Sequence, residues 1–71
     1  METRKKLLQY HVFRLKDRNP GVQLEAIREL AELGDPEALD PLRVVFQSDA
    51  PVEVRKAAQA AAVKIVEKNK P

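Results

Sequence analysis

The chain matches itself at an offset of thirty-two residues, and this internal repeat constrains its fold more than any other feature. Similar residues recur at five paired positions: Asp17 and Asp49, Val22 and Val54, Ala26 and Ala58, Leu30 and Ala62, Leu33 and Ile65. A period of about 20 to 50 residues is typical of stacked-repeat proteins, and apolar residues spaced by three or four indicate helices. We therefore predict stacked helix pairs.

Turn signals divide the chain into four predicted helices, at about 3–16, 21–33, 36–47 and 52–68. Asn19-Pro20-Gly21 ends the first helix, because proline restricts the residue before it and glycine tolerates a positive φ. Gly34 occupies the position that follows a helix C-terminus. No segment alternates with the period of a strand, so the predicted fold class is all-α.

Aspartates and a proline mark the predicted helix starts. Asp35 is expected to cap the third helix, with Pro36 as its first residue. Pro41 lies about one turn further on, so it must either kink this helix or restart it with Asp40 as a second cap. Asp49 is the expected cap of the fourth helix.

The composition indicates one small domain, residues 1–71, with an expected cytoplasmic location. The absence of cysteine excludes disulfides and thiolate metal sites. No apolar run approaches the roughly 20 residues that span a bilayer. The apolar stretch after the basic N-terminus is interrupted by polar residues, which argues against a secretory signal.

Catalytic and cofactor chemistry is not expected. His11 is the single histidine, and the only hydroxyls belong to Thr3, Tyr10 and Ser48, so no nucleophile–base set can be assembled. One histidine cannot supply a zinc site of the usual ligand count. We interpret His11 as a surface residue, and the carboxylates Glu25, Glu29 and Glu32 as a solvated helix face. The prediction is a non-enzyme without cofactor or metal.

The net charge of +2 is segregated along the chain. Residues 1–18 carry six basic and two acidic side chains, residues 19–50 carry two and seven, and residues 51–71 carry five and two. This pattern is compatible with attraction between copies, or with a basic end facing an acidic partner. The alternative is that these charges form ordinary solvated helix faces.

Two segments resemble a known repeat family. Residues 34–42, Gly-Asp-Pro-Glu-Ala-Leu-Asp-Pro-Leu, and residues 49–58, which include Val54-Arg55, are similar to the short HEAT repeat of the phycobilin-lyase type. The first repeat departs from the pattern, since Val22-Gln23 stands where Val-Arg is expected. The resemblance implies a short right-handed α-solenoid of about two helix pairs. It also implies an N-terminal helix at 3–16, repeat one at 17–48 and a C-terminal half-repeat at 49–68.

Apolar stripes on the helices predict which of them lie inside the stack. The second helix has two stripes, as an interior helix should: Val22, Ala26, Leu30 and Leu33 on one side, and Leu24, Ile27 and Ala31 on the other. The fourth helix keeps the first stripe, but its second becomes Lys56, Gln59 and Val63. This change predicts a C-terminal end that faces water.

The N-terminal helix has two candidate stripes. Leu7, Tyr10 and Phe13 match Leu39, Leu42 and Val45 at the thirty-two-residue offset, which predicts core positions. The further stripe of Leu8, Val12 and Leu15 then has no partner in the chain and is a candidate contact surface for a homodimer. The alternative is that this stripe packs against the second helix.

The resemblance implies an adaptor. The leading hypothesis is therefore a small protein-interaction or scaffold module that binds a partner protein or a second copy of itself. The polar inner face of the second and fourth helices is the second candidate surface, with Arg28, Arg55, Lys56 and Gln59 facing an acidic protein. The resemblance also implies that Arg55 reaches an aspartate in a connector, Asp17 or Asp49.

Two other functions stay open. The first alternative is nucleic-acid binding by the basic N-terminal helix, through Arg4, Lys5, Lys6, Arg14, Lys16 and Arg18. The acidic middle and the lack of aromatic platforms argue against it. The second alternative, an accessory subunit of a bilin lyase or photosynthetic assembly factor, rests on the family resemblance alone.

Overall fold

The computed structural model describes residues 2–71, without the side chains of Glu2 and Arg4. This part of the chain forms four α-helices and no strand: α1 Glu2–Arg14, α2 Pro20–Leu33, α3 Leu39–Gln47 and α4 Val52–Lys68. A 3-10 turn over Pro36–Ala38 precedes α3. The predicted all-α fold is confirmed, and Arg4 of the predicted basic set lies outside the described side chains.

The ends of α2 follow the predicted turn chemistry. The Asn19 side chain accepts a hydrogen bond from the Gly21 N–H at 2.8 Å, and Pro20 is the first helical residue. The helix therefore starts one residue before the prediction, because a proline is well suited to the first helical position. Gly34 ends α2 with φ of 69°, and its N–H donates to the Leu30 carbonyl.

The start of α3 differs in part from the prediction. Asp35 accepts a hydrogen bond from the Glu37 N–H at 2.9 Å, so it is a cap as predicted, although it opens the 3-10 turn. Pro41 is the third residue of α3, where its missing N–H has no intrahelical partner to lose. The helix restarts, but Asp40 is not its cap: the cap position is Ala38, and Asp40 lies inside the first turn.

Ser48, and not Asp49, organises the connector before α4. Its hydroxyl donates to the Val45 carbonyl at 2.6 Å and accepts from the Ala50 N–H at 3.1 Å. The cap position of α4 is Pro51, which makes no side-chain capping bond. The predicted Asp49 cap is therefore wrong, because α4 begins at Val52 and its cap position falls on Pro51, two residues after Asp49.

The core lies where α4 packs against both α2 and α3, with α1 packed on α2. Its largest fully buried side chains are Leu30 of α2, Leu42 of α3, and Val54 and Ile65 of α4. Small buried residues let these helices approach closely: Ala26, Ala31, Ala38, Ala58 and Ala61. The described chain measures 32 × 24 × 15 Å along its principal axes.

The predicted roles of α2 and α4 are confirmed. In α2, Ala26 and Leu30 of one stripe and Ile27 and Ala31 of the other are all buried, as expected for an interior helix. In α4, the second stripe of Lys56, Gln59 and Val63 is exposed. The division into repeats at 17–48 and 49–68 stays a prediction.

The orientation of α1 overturns the predicted core positions. Leu7, Tyr10 and Phe13 are exposed, by 45%, 56% and 70%, whereas Leu8 and Leu15 are buried in the core. The segment from Leu15 to Val22 is two residues shorter than the segment from Val45 to Val54. The buried positions of α1 therefore match those of α3 at an offset of thirty, and the stripe expected to be unpartnered packs inside the chain.

Candidate partner-binding surfaces

An open groove of about 710 Å³ runs between α1 and α3. The apolar residues along it are Val12, Leu15, Pro41, Val44, Val45, Ala50 and Pro51. Residues of the connectors that follow α1 and α3 also line it. Since Val12 is only partly buried and Val44 is 67% exposed, the groove offers an accessible apolar surface.

Charged side chains surround this groove without a dominant sign. They are Lys16, Asp17, Arg18, Asp40 and Asp49. Asp17 is partly committed, because its carboxylate accepts the Asn19 N–H at 2.8 Å. A partner that fills the groove would therefore meet an apolar floor and a rim that can accept both positive and negative groups.

Two side chains one period apart attach these connectors to the helices that follow. Gln23 donates from Nε2 to the Leu15 carbonyl at 3.0 Å, and Arg55 donates from Nε to the Ala50 carbonyl at 2.9 Å. At the departure from the family pattern, Gln23 thus also binds a backbone carbonyl, although Leu15 and Ala50 are not corresponding positions. The expected contact of Arg55 with Asp17 or Asp49 is wrong, since the carbonyl lies within reach of its guanidinium.

The other predicted inner-face residues are not gathered into one basic surface. After its first two residues, α2 exposes four side chains, all charged: Glu25, Arg28, Glu29 and Glu32. Three of these four are acidic, so Arg28 lies among carboxylates on α2, and the basic inner face stays a prediction. Lys56 and Gln59 are exposed on α4, and Gln59 lines a smaller groove of about 270 Å³ between α3 and α4.

The predicted dimer surface of Leu8, Val12 and Leu15 is mostly internal. Leu8 and Leu15 are core residues, and Val12 packs against the core while also lining the groove. Two other apolar surfaces are exposed instead. One is the α1 outer face, defined here as Leu7, Tyr10 and Phe13, and the other is the C-terminal patch, defined as Phe46, Val63 and Val66.

His11 is buried, which corrects the expectation of a surface residue. Its Nδ1 lies 3.5 Å from Nη1 of Arg14, and its ring meets that of Tyr10 edge-on at 5.2 Å between centroids. Arg14 also binds Glu25 at 2.8 Å and lies 5.5 Å from the Tyr10 ring centroid. The ion pair of Arg14 and Glu25 therefore joins α1 to α2. Glu25 thus makes a contact between helices, which the prediction of a solvated face did not include.

The described side chains contain no group of three or more histidine, cysteine, aspartate or glutamate residues arranged to hold a metal. Along residues 2–71, no helix has the length and apolar character needed to cross a membrane. The distinctive features of the described surface are therefore its apolar grooves and exposed faces.

Comparison with known proteins agrees with this architecture. The sequence profile described as HEAT repeats matches residues 4–67, which is nearly the whole chain. Neither the curated proteins nor the solved structures provide a match. HEAT repeats are stacked helix pairs, as observed for α1 to α4. The chain belongs to the HEAT repeat family.

Proposed function

We propose that this protein is a small non-catalytic module that binds other proteins or holds them together. The observation that carries the proposal is its large exposed surface. The described fold exposes 5145 Å², whereas the general scaling for a compact chain of 8.0 kDa gives about 4,450 Å². The excess accompanies an open apolar groove and two exposed apolar faces, which are typical of interaction surfaces.

The groove between α1 and α3 is the proposed binding site. Val44 is the best position for a test, because it is 67% exposed and lines the groove. We expect Val44→Asp to fold normally and to lose partner binding by about tenfold or more, since a central apolar contact is replaced by a charge. Gln47→Asp is the matched control, because it adds the same charge on the same helix and Gln47 is exposed outside both grooves. Equal losses in both variants would exclude the groove.

Self-association forms part of this proposal. Solenoids usually need three or more repeats before burial compensates for chain entropy, and this chain has about two. Since Leu8 and Leu15 are internal, we propose that a homodimer pairs through the C-terminal patch of Phe46, Val63 and Val66. Sedimentation equilibrium at micromolar concentration should give twice the mass of the 8.0 kDa chain, and Val66→Asp should return the monomer. A stable monomer of the unchanged chain would contradict self-association.

Arg28, Lys56 and Gln59 stay proposed contacts of an acidic protein partner, because all three are exposed. Peripheral charges act mainly on association rate. Replacing Lys56 with glutamate should slow capture of such a partner and weaken its salt dependence. An unchanged association rate would remove these residues from the site.

Nucleic-acid binding is the second candidate function. The observation in its favour is that Tyr10 and Phe13 are exposed on the same helix as Lys5 and Lys6, which supplies the aromatic surface that the sequence did not predict. A titration of random single-stranded and duplex DNA at increasing salt tests it. Affinity that falls steeply with salt would favour this candidate.

The finer family assignment is also a proposal. The Gly34-Asp35-Pro36 turn supports the phycobilin-lyase type of HEAT repeat, and an accessory role with a bilin lyase is its most specific form. Mixing the protein with a bilin and recording the absorption spectrum tests this role, which an unchanged spectrum would contradict.

A cytoplasmic location is also proposed for this protein, and it is tested by fractionation of the cells that make the protein.

A further inference from the structure

The α1 outer face differs from its structural counterpart on α3. At the offset of thirty that relates the buried positions of the two helices, Leu7, Tyr10 and Phe13 correspond to Glu37, Asp40 and Arg43. All six residues are exposed. The same face is therefore charged on α3 and on the 3-10 turn before it, and apolar on α1. The core does not require apolar residues there, because Leu8 and Leu15 already fill the interior.

The charge around this face is positive. Residues 3–16 contain no acidic side chain, and Lys5, Lys6 and Lys16 are exposed. Lys6 precedes Tyr10 by four residues and Phe13 by seven, spacings that place all three on one side of a helix. An occupant should therefore combine an apolar surface with negative charge.

On α1 and α2, a second copy of this chain does not have that combination. Pairing one α1 outer face with another would bring the lysines of both copies together. The acidic surface of α2 offers only the charged side chains Glu25, Arg28, Glu29 and Glu32, with no apolar residue to meet Tyr10 or Phe13. Burying an aromatic ring against these charged side chains would remove them from water, which is unfavourable.

The spacing of the three residues favours a helix over a nucleic-acid strand. Leu7, Tyr10 and Phe13 recur every third residue and form a ridge along α1, as in helix–helix packing. Leu7 offers no plane on which a base could stack.

We propose that the α1 outer face binds an amphipathic helix of a partner protein, whose apolar stripe is flanked by acidic residues. This inference rests on the proposed protein-binding function and adds a second site, with its partner class, to the groove. The Tyr10 ring is already held by the edge-on contact with His11 and by the Arg14 guanidinium 5.5 Å from its centroid. Tyr10 is thus oriented before binding, which lowers the entropic cost of association.

The test uses two synthetic peptides and the full chain. Each peptide has about 20 residues, long enough to form a helix, with leucines at i, i+3 and i+7. One is flanked by glutamates and the other by lysines. We expect the glutamate peptide to bind more than tenfold tighter, and Phe13→Ser to weaken it at least fivefold. Because Phe13 is exposed, the thermal unfolding of this variant should be unchanged.

Val44→Ser is the matched control, since Val44 is equally exposed but lies on α3 in the groove. Binding lost in Val44→Ser and kept in Phe13→Ser would overturn the α1 site and leave protein binding at the groove standing. The α1 site would also be overturned if the two peptides bound with equal affinity, or if neither peptide bound. Single-stranded oligothymidylate that binds more tightly than the glutamate peptide, through Phe13, would assign the face to nucleic acid instead. The broader protein-binding function is tested separately, by the Val44→Asp variant at the groove and by sedimentation for self-association.

Discussion

Glu32 and Lys64 are separated by one period of thirty-two residues, and their side chains form an ion pair with 3.4 Å between Oε2 and Nζ. The pair joins the equivalent helices α2 and α4 across the repeat. Both side chains are at least half exposed. The C-terminal end of α4 makes further contacts with the end of α2. Lys68 donates to the partly buried Ala31 carbonyl and to the exposed Glu32 carbonyl, and Asn69 donates to the partly buried Gly34 carbonyl.

These two sets of contacts should differ in their effect on stability. We expect Lys64→Met to change the free energy of unfolding by less than about 0.5 kcal/mol, because exposed ion pairs contribute little. Lys68→Met should cost about 1 to 2 kcal/mol, because two carbonyls at the C-terminus of α2 lose a charged donor. Urea unfolding monitored by circular dichroism gives both values. A larger loss from Lys64→Met than from Lys68→Met would contradict this ranking.

Gly34→Ala should destabilise the protein by about 1 to 2 kcal/mol, because its φ of 69° is unfavourable for a residue with a Cβ atom. The new methyl group would also lie 2.9 Å from Cδ of Lys68 and displace that side chain from its two carbonyls. We therefore expect the double variant Gly34→Ala/Lys68→Met to lose less than the sum of the single losses. Strict additivity would show that Lys68 is not displaced. Gly21→Ala, without a positive φ, is the control and should cost less.

Ile65→Ala should cost about 2 to 5 kcal/mol, because Ile65 is fully buried and the surrounding helices cannot close the cavity completely. Val63, two residues earlier on α4, is 53% exposed. Val63→Ala should therefore stay within about 0.5 kcal/mol of the unchanged protein. The same urea titration compares the two variants. Similar losses of stability would contradict the assignment of Ile65 to the core and of Val63 to the surface.

Asn19→Ala should cost about 1 kcal/mol, because the Gly21 N–H loses its acceptor at the start of α2. Asn19→Asp keeps an oxygen at this position and adds a negative charge beside the N-terminus of a helix. It should restore most or all of the loss. The thermal midpoint measures both, and equal destabilisation by the two substitutions would argue against a capping role.

Local chemistry made most of the fold predictable. The four helices, the turn at Asn19, the end of α2 at Gly34 and the cap at Asp35 all follow from backbone preferences of single residues. Asp40 and Asp49 were predicted as caps on the same grounds and are not. Neither aspartate caps a helix in the folded chain. The helix α3 begins at Leu39, before Asp40, and in the connector before α4 it is Ser48 that binds the backbone.

The surfaces were harder to predict than the helices. Two apolar stripes on α1 satisfy the helical period equally well, so the sequence alone cannot select the one that packs on α2. The direction of the Arg55 side chain is likewise decided by the carbonyl of Ala50, which only the folded connector brings within 2.9 Å.

The repeat could be predicted from the thirty-two-residue offset between matching residues. The all-α class, the interior position of α2 and the exposed second stripe of α4 could be predicted from spacing within single helices. The rotation of α1 about its axis is a property of the folded chain alone. That rotation depends on the length of the segment from Leu15 to Val22 and on the fit of side chains between α1 and α2, which no single helix contains. It buries Leu8 and His11 and leaves Tyr10 and Phe13 exposed, and thereby decides which surface the protein offers to a partner.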